Sequence, residues 1–142
     1  MPFTLRRIDY FRTTVTDEPG EGLAVLSALA SQNVNLVAFT AVPAGANQTQ
    51  LMLYPEHTGA LAHAASVSGM ALDGPHAALL VQGDDELGAI AGIHRLLANE
   101  GLNVVSASGV ADGRGTFGYI IHMRPADVER AALVLRGAVT AS

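Results

Sequence analysis

The sequence predicts an α+β chain of two small modules, and three observations predict it. Special positions recur at an offset of 68 residues, each half carries the element order β-α-β-β-α, and 49% hydrophobic residues supply material for a core. At that offset Asp17-Glu18-Pro19-Gly20 falls on Asp85-Glu86-Leu87-Gly88, Leu29-Ala30 on Leu97-Ala98, Asn35 on Asn103, Val42 on Val110 and Gly45 on Gly113. Overall identity at this offset is low, so the match is one of positions rather than composition.

The elements follow in order. Ile8 to Val15 and Ala77 to Gln82 are apolar or β-favouring runs ended by turn residues, hence strands. Asp17 and Asp85 are the N-cap candidates of the next helices, with Glu18, Glu21 and Glu86 in the first turns. Leu23, Leu26, Leu29 and Ala30, then Ile90, Ile93, Leu97 and Ala98, recur at helical spacing. These helices stop at Asn33 and Gly101, two residue types that readily enter the left-handed conformation a helix end needs.

Strands are expected over Val34 to Val42 and Leu102 to Ala111, each paired as a hairpin with Gln50 to Tyr54 or Phe117 to Met123. Pro55 and Pro125 open second helices over about 57–68 and 126–137. Met70 to Leu72 reads as the last strand of the first copy, and Asp73-Gly74-Pro75 as the linker between modules 1–74 and 75–142. The second copy has only Ala138 to Ser142 left, which leaves its closing strand unassigned. A β-α-β-β-α-β unit is the ferredoxin-like arrangement, an antiparallel sheet with two helices on one face. Apolar side chains lie on both alternating faces of Asn35-Leu36-Val37-Ala38-Phe39 and Val104-Val105-Ser106-Ala107, so something is expected to cover the open face or edge. Units of about 68 residues have marginal cores, and joined copies with two paired chains are the expected remedy.

Composition excludes several functions. Eight arginines, no lysine and thirteen acids give a net charge of −5, and no basic stripe is present for a phosphate backbone, so nucleic acid is not an expected partner. The absence of cysteine removes disulfides, thiolate nucleophiles and cysteine-based zinc sites. No apolar run approaches the roughly 20 residues of a bilayer span, and the first residues lack signal-peptide features, so no membrane partner and a cytoplasmic location are expected. The five histidines show no metal-ligand spacing, and no cofactor is implied. Gly113-Arg-Gly115-Thr-Phe-Gly118 matches G-x-G-x-x-G but leads into a strand, and so reads as a hairpin rather than a dinucleotide site. Asn47-Gln-Thr49 is a glycosylation sequon without a secretory context.

Asp17-x-Pro19-Gly20, a helix and then Asn33-x-Asn35-Leu36 resembles the ACT-domain signature, and Asp85-x-Leu87-Gly88 with Gly101-x-Asn103-Val104 is a second, partial match. Leu87 stands where the signature has proline, Asn33 where it has glycine, and Gly22 loosens the first helical turn. The resemblance covers nearly the whole chain. It implies a stand-alone tandem ACT-domain protein: a non-enzymatic, homodimeric sensor of amino acids whose sheets join side by side and whose ligands sit where modules meet. It also implies a regulated protein partner, which the sequence does not identify.

The chemistry of the residues is compatible with that implication. A glycine at the strand-to-helix turn lets backbone N–H groups at the positive helix end approach a carboxylate, which makes Gly20, Glu21 and Gly22, or Gly88 and Ala89, candidate ligand contacts. Asn35 and Asn103 are expected near the same loop as donors and acceptors, and Asp17 or Asp85 as partners of an ammonium group. Pro19 and Leu87 complete the candidate set through the motif. The bland alternative is that these Asp, Gly and Asn residues only cap and turn the backbone. Two other functions stay open: a small ferredoxin-like enzyme using Tyr10, Asp9 or His122 as acid or base, and an adapter that binds only protein.

Overall fold

The computed structural model describes residues 3–141. Its elements run β1 (Phe3–Thr16), α1 (Glu21–Ser31), β2 (Leu36–Pro43), β3 (Gln48–Pro55), α2 (Thr58–Ser68), β4 (Asp73–Asp84), α3 (Ala89–Asn99), β5 (Val104–Ala111), β6 (Thr116–Met123) and α4 (Val128–Ala141). A single 3₁₀ turn, Pro125–Asp127, precedes α4. The strands are hydrogen-bonded in the order β2-β3-β1-β4-β6-β5. The chain is therefore α+β, with the element order β-α-β-β-α occurring twice.

Two compact units divide it, and β1 and β4 each contribute to both. The first unit is residues 9–76, and the second is residues 77–141 together with residues 3–8. In the first unit the second half of β1, then β2, β3 and the start of β4 form the sheet, in the order β2-β3-β1-β4. The second unit uses the rest of β4 as its first strand, and residues 3–8, not a segment after α4, supply its fourth strand. Phe3 is buried there among Leu79, Val81, Tyr119 and Leu135, with Leu5 packed beside it. Thr4 Oγ1 donates to the Gln82 carbonyl, and Arg7 pairs with Glu129 of α4.

Two expectations about boundaries are corrected. Residues 70–72 are not a strand, and Asp73-Gly74-Pro75, expected as a linker, is the start of β4. Gly74 has φ +147°, and a Cβ there would stand 2.9 Å from both the Phe11 ring and the Tyr10 carbonyl, so a glycine is required for the close approach to β1. Pro55 ends β3 instead of opening a helix, and α2 starts at Thr58 after His57.

Each core lies between one sheet face and its two helices. Phe11, Leu51 and Leu53 meet Val25 and Leu29 of α1 and Leu61 and Ala64 of α2. In the second unit Leu79, Val81, Tyr119 and Ile121 meet Ile93 and Leu97 of α3 and Ala131, Ala132 and Leu135 of α4. Alternation with period two places these odd-numbered strand residues on a common face within each unit. The opposite face of the first unit carries Tyr10 and Tyr54, whose ring centroids are 5.3 Å apart. Arg12 lies over the Tyr10 ring and donates to its hydroxyl at 3.1 Å. Burial, reinforced by Tyr10, pushes the Tyr54 hydroxyl up to about 12, with Thr40 and Arg12 opposing. The outer strands keep Val37 and Val42 of β2 and Val105 and Val110 of β5 exposed.

Candidate functional site

The two helix starts are built alike. After β1 the Asp17 N–H donates to the Asn47 carbonyl and the Glu18 N–H to Thr16, which folds the chain into a tight turn. Gly20 then takes φ +90°, and its carbonyl accepts from the Ala24 N–H, so Gly20 is the N-cap of α1. In the second unit Asp85 donates to Gly115, Glu86 to Asp84, and Gly88 at φ +82° caps α3 with its carbonyl on the Gly92 N–H. The expected capping role of Asp17 and Asp85 is thus corrected: neither helix has a side-chain cap. A left-handed residue ends the turn in each case, and glycine is the residue for which that conformation is not strained. A helix start leaves its first N–H groups without intrahelical partners, and those of Gly22 and Leu23, and of Ile90 and Ala91, find no acceptor among the described residues.

Both pairs of free N–H groups border a recess. The first, of about 380 Å³, lies between α1 and the strands of its unit, with Leu23, Leu26, Phe39 and Leu51 as its apolar surface. Asp17, Glu18 and Glu21 form its rim, and none of the three has an ion-pair partner among the described residues. The second recess, of about 240 Å³, is lined at the equivalent positions by Asp85, Glu86, Ala89, Ile90, Ala91, Gly109 and Phe117, with Val110 beside them. Its rim has one carboxylate fewer, because Ala89 stands where the first unit has Glu21.

Of the sequence candidates, the structure brings together Asp17, Glu21 and Gly22 in the first recess and Asp85, Gly88 and Ala89 in the second. Gly20 pivots the turn beside them. Pro19 and Leu87 line neither recess, and the Leu87 side chain is fully exposed. Asn35 and Asn103, expected near the same loop, stand beyond the other end of α1 and α3. Eleven helical residues at 1.5 Å each put them roughly 16 Å away. Asn35 Nδ2 donates to Glu56 Oε2 at 2.9 Å while its carbonyl accepts from the Glu56 N–H, so it fastens β2 to the end of β3. The apolar surfaces, together with Glu18 and Glu86, are the part that the candidate set missed. Their signal was the alternation of Phe39-x-Ala41 and Thr49-x-Leu51, which sends these side chains toward α1.

The residues of the enzymatic alternative are occupied elsewhere. Asp9 Oδ2 accepts from Thr58 Oγ1 at 2.8 Å, Tyr10 is stacked under Arg12, and His122 Nδ1 meets Ser106 Oγ at 3.2 Å. None of them lines either recess. Among the described residues no three His, Asp or Glu side chains are grouped to hold a metal ion. Among the described residues no helix is long and apolar enough to cross a membrane.

No family model and no curated protein matches the sequence. Solved structures do match the fold. Protein BT0572 from Bacteroides thetaiotaomicron superimposes with a TM-score of 0.80 at 18% identity, over 94% of this chain and 90% of that one. Aspartokinase alpha and beta subunits give 0.61 at 19% identity, over 99% and 98% of the two chains. The ligand-free regulatory subunit of aspartate kinase from Thermus thermophilus gives 0.61 at 18% identity, over 97% of each chain. At such identities the likeness is one of fold, and it makes the architecture of this chain that of the ACT-like ferredoxin fold, with its β-α-β-β-α unit present twice.

Proposed function

We propose that the chain is a non-enzymatic, ligand-sensing regulatory module, and that its ligands are amino acids bound at the helix starts. The observation that carries the reading is the pair of free N–H groups, Gly22 and Leu23, bordering a recess that is apolar inside and acidic at its rim. Those N–H groups and the positive helix end favour a carboxylate. Unpaired Asp17, Glu18 and Glu21 favour an ammonium group, and Leu23, Leu26, Phe39 and Leu51 favour an aliphatic side chain. One α-amino acid offers all three. The fold shared with a regulatory subunit of aspartate kinase supports a regulatory role over a catalytic one.

Regulation through such a site is linkage. A ligand that binds one pairing of chains more tightly shifts the population by that difference in affinity and by no more. The exposed, charge-free strand β5 and its counterpart β2 are the surfaces through which a homodimer or a regulated protein would pair. Thermal unfolding against each of the twenty amino acids tests the proposal. A ligand at about 100 times its dissociation constant adds roughly 2.7 kcal/mol, a shift of several degrees. Stabilisation by a coherent aliphatic group, lost in Glu18→Gln/Glu21→Gln, is the expected result. A flat response across the panel refutes the amino-acid reading and favours a protein-only adapter.

A further inference from the structure

The two recesses are equivalent in position but not in volume, and three positions make the difference. In the first unit Leu26, Ala41 and Leu51 all line the recess, with Ala41 directly opposite Leu51 in the β2–β3 register. A shift of 68 residues converts them to His94, Gly109 and Tyr119, and Gly109 is again opposite Tyr119. Of these only Gly109 still faces the recess. The Tyr119 ring lies against the glycine, where a Cβ would stand 2.7 Å from its Cδ1. Its hydroxyl meets His94 Nε2 of α3 at 2.5 Å, with the two rings 5.7 Å apart. A buried phenol needs a polar partner, which the leucine at the first-unit helix position would not give. Tyrosine, histidine and glycine therefore form one mutually dependent set, spanning from strand to helix. The space it fills is space that the first unit leaves open, in keeping with about 240 Å³ against about 380 Å³.

We infer that Tyr119, held by His94 and seated on Gly109, narrows the second recess, so that an aliphatic side chain is read by the first recess in preference to the second. The inference deepens the ligand-sensing reading and rests on it for the identity of the ligand, though the narrowing itself does not depend on that identity.

The test follows amide and methyl resonances of the full chain titrated with tert-butanol, a neutral probe with a branched apolar group, and separately with L-leucine. The expected result is that tert-butanol shifts Gly22, Leu23 and Leu26 and leaves Ile90 and Ala91 in place. His94→Leu/Gly109→Ala/Tyr119→Leu, which restores the first-unit trio, brings Ile90 and Ala91 into the response. The reciprocal Leu26→His/Ala41→Gly/Leu51→Tyr silences the first recess, so a folding failure in one variant leaves the other to decide. Equal shifts at both recesses in the unaltered chain overturn the inference, as does no shift at either, or a first recess that still responds in the reciprocal variant. If tert-butanol follows the expected pattern while L-leucine shifts nothing, the narrowing stands and the amino-acid reading falls.

Discussion

Replacing Phe3 by alanine should weaken the second unit, although the residue lies more than seventy positions before it in sequence. Phe3 is only 6% exposed and packs among Leu79, Val81, Tyr119 and Leu135. Phenylalanine-to-alanine changes in cores cost about 3–5 kcal/mol, and the outermost strand of a unit can partly collapse onto the gap, which puts the expected loss near 3 kcal/mol. With an unfolding entropy of about 2.1 cal/mol/K per residue, 142 residues unfolding as one lower the midpoint by about 10 °C. The second unit unfolding by itself would fall by about twice that, so the size of the shift also reports cooperativity. Native-state hydrogen exchange locates the damage. Lost protection in β6 and α4, with β3 and α2 unchanged, is the expected pattern. Protection lost first in β3 and α2 would refute the assignment of residues 3–8 to the second unit.

Other expectations follow from the same geometry. Gly20→Ala and Gly88→Ala should each destabilise by about 1–2 kcal/mol in chemical denaturation, because the helix caps are left-handed while nothing stands within 4 Å of the new methyl group. Hydrogen bonds from the Thr116 hydroxyl and from the Arg114 and Thr116 N–H groups hold the Asp112 carboxyl below its ordinary value of 3.8. A folded value below the unfolded one means that its stabilising contribution is present above pH 3.8 and is lost as pH falls through the lower folded value. A carboxyl titration by NMR should find that midpoint below 3.8, and Thr116→Val should raise it. Tyr54 runs the opposite way. With its hydroxyl raised from 10.0 to about 12, the contribution is intact below pH 10 and lost as pH rises toward 12, so Tyr54→Phe should flatten stability across that window.

The repeat, the element order and the helix ends were legible in the sequence because each rests on local backbone chemistry. Asn33 at φ +60° and Gly101 at φ +70° end α1 and α3, with the Val34 N–H returning to Leu29 and the Leu102 N–H to Leu97. These are Schellman closures, and their apolar pairs, Val34 with Leu29 and Leu102 with Leu97, lie in the cores. The helix starts were less legible. Asp17 and Asp85 have the composition of caps, but their own N–H groups are tied across to Asn47 and Gly115, and the helix begins only after a left-handed glycine. Those ties are long-range, and no local pattern records them. The closing strand was hidden for a similar reason, since Arg6 and Arg7 break the apolar run while Arg7 is satisfied by Glu129, 122 residues away. The recess surface was written in alternating strand residues, whereas Asn35 and Asn103 belong to the motif but stand at the far ends of their helices.

The division of β1 between two units has a consequence for the order of synthesis. Residues 3–8 leave the ribosome before their partners, since the side chains around Phe3 come from residues 79–135, so the edge they complete cannot form until residue 135 has been made. The first unit meets no such delay, because residues 9–76 are contiguous. Contacts of such long sequence separation are slow to close. Phe3 and Leu5 therefore lack their native partners while the first unit folds, and in that interval they are apolar surface open to wrong contacts.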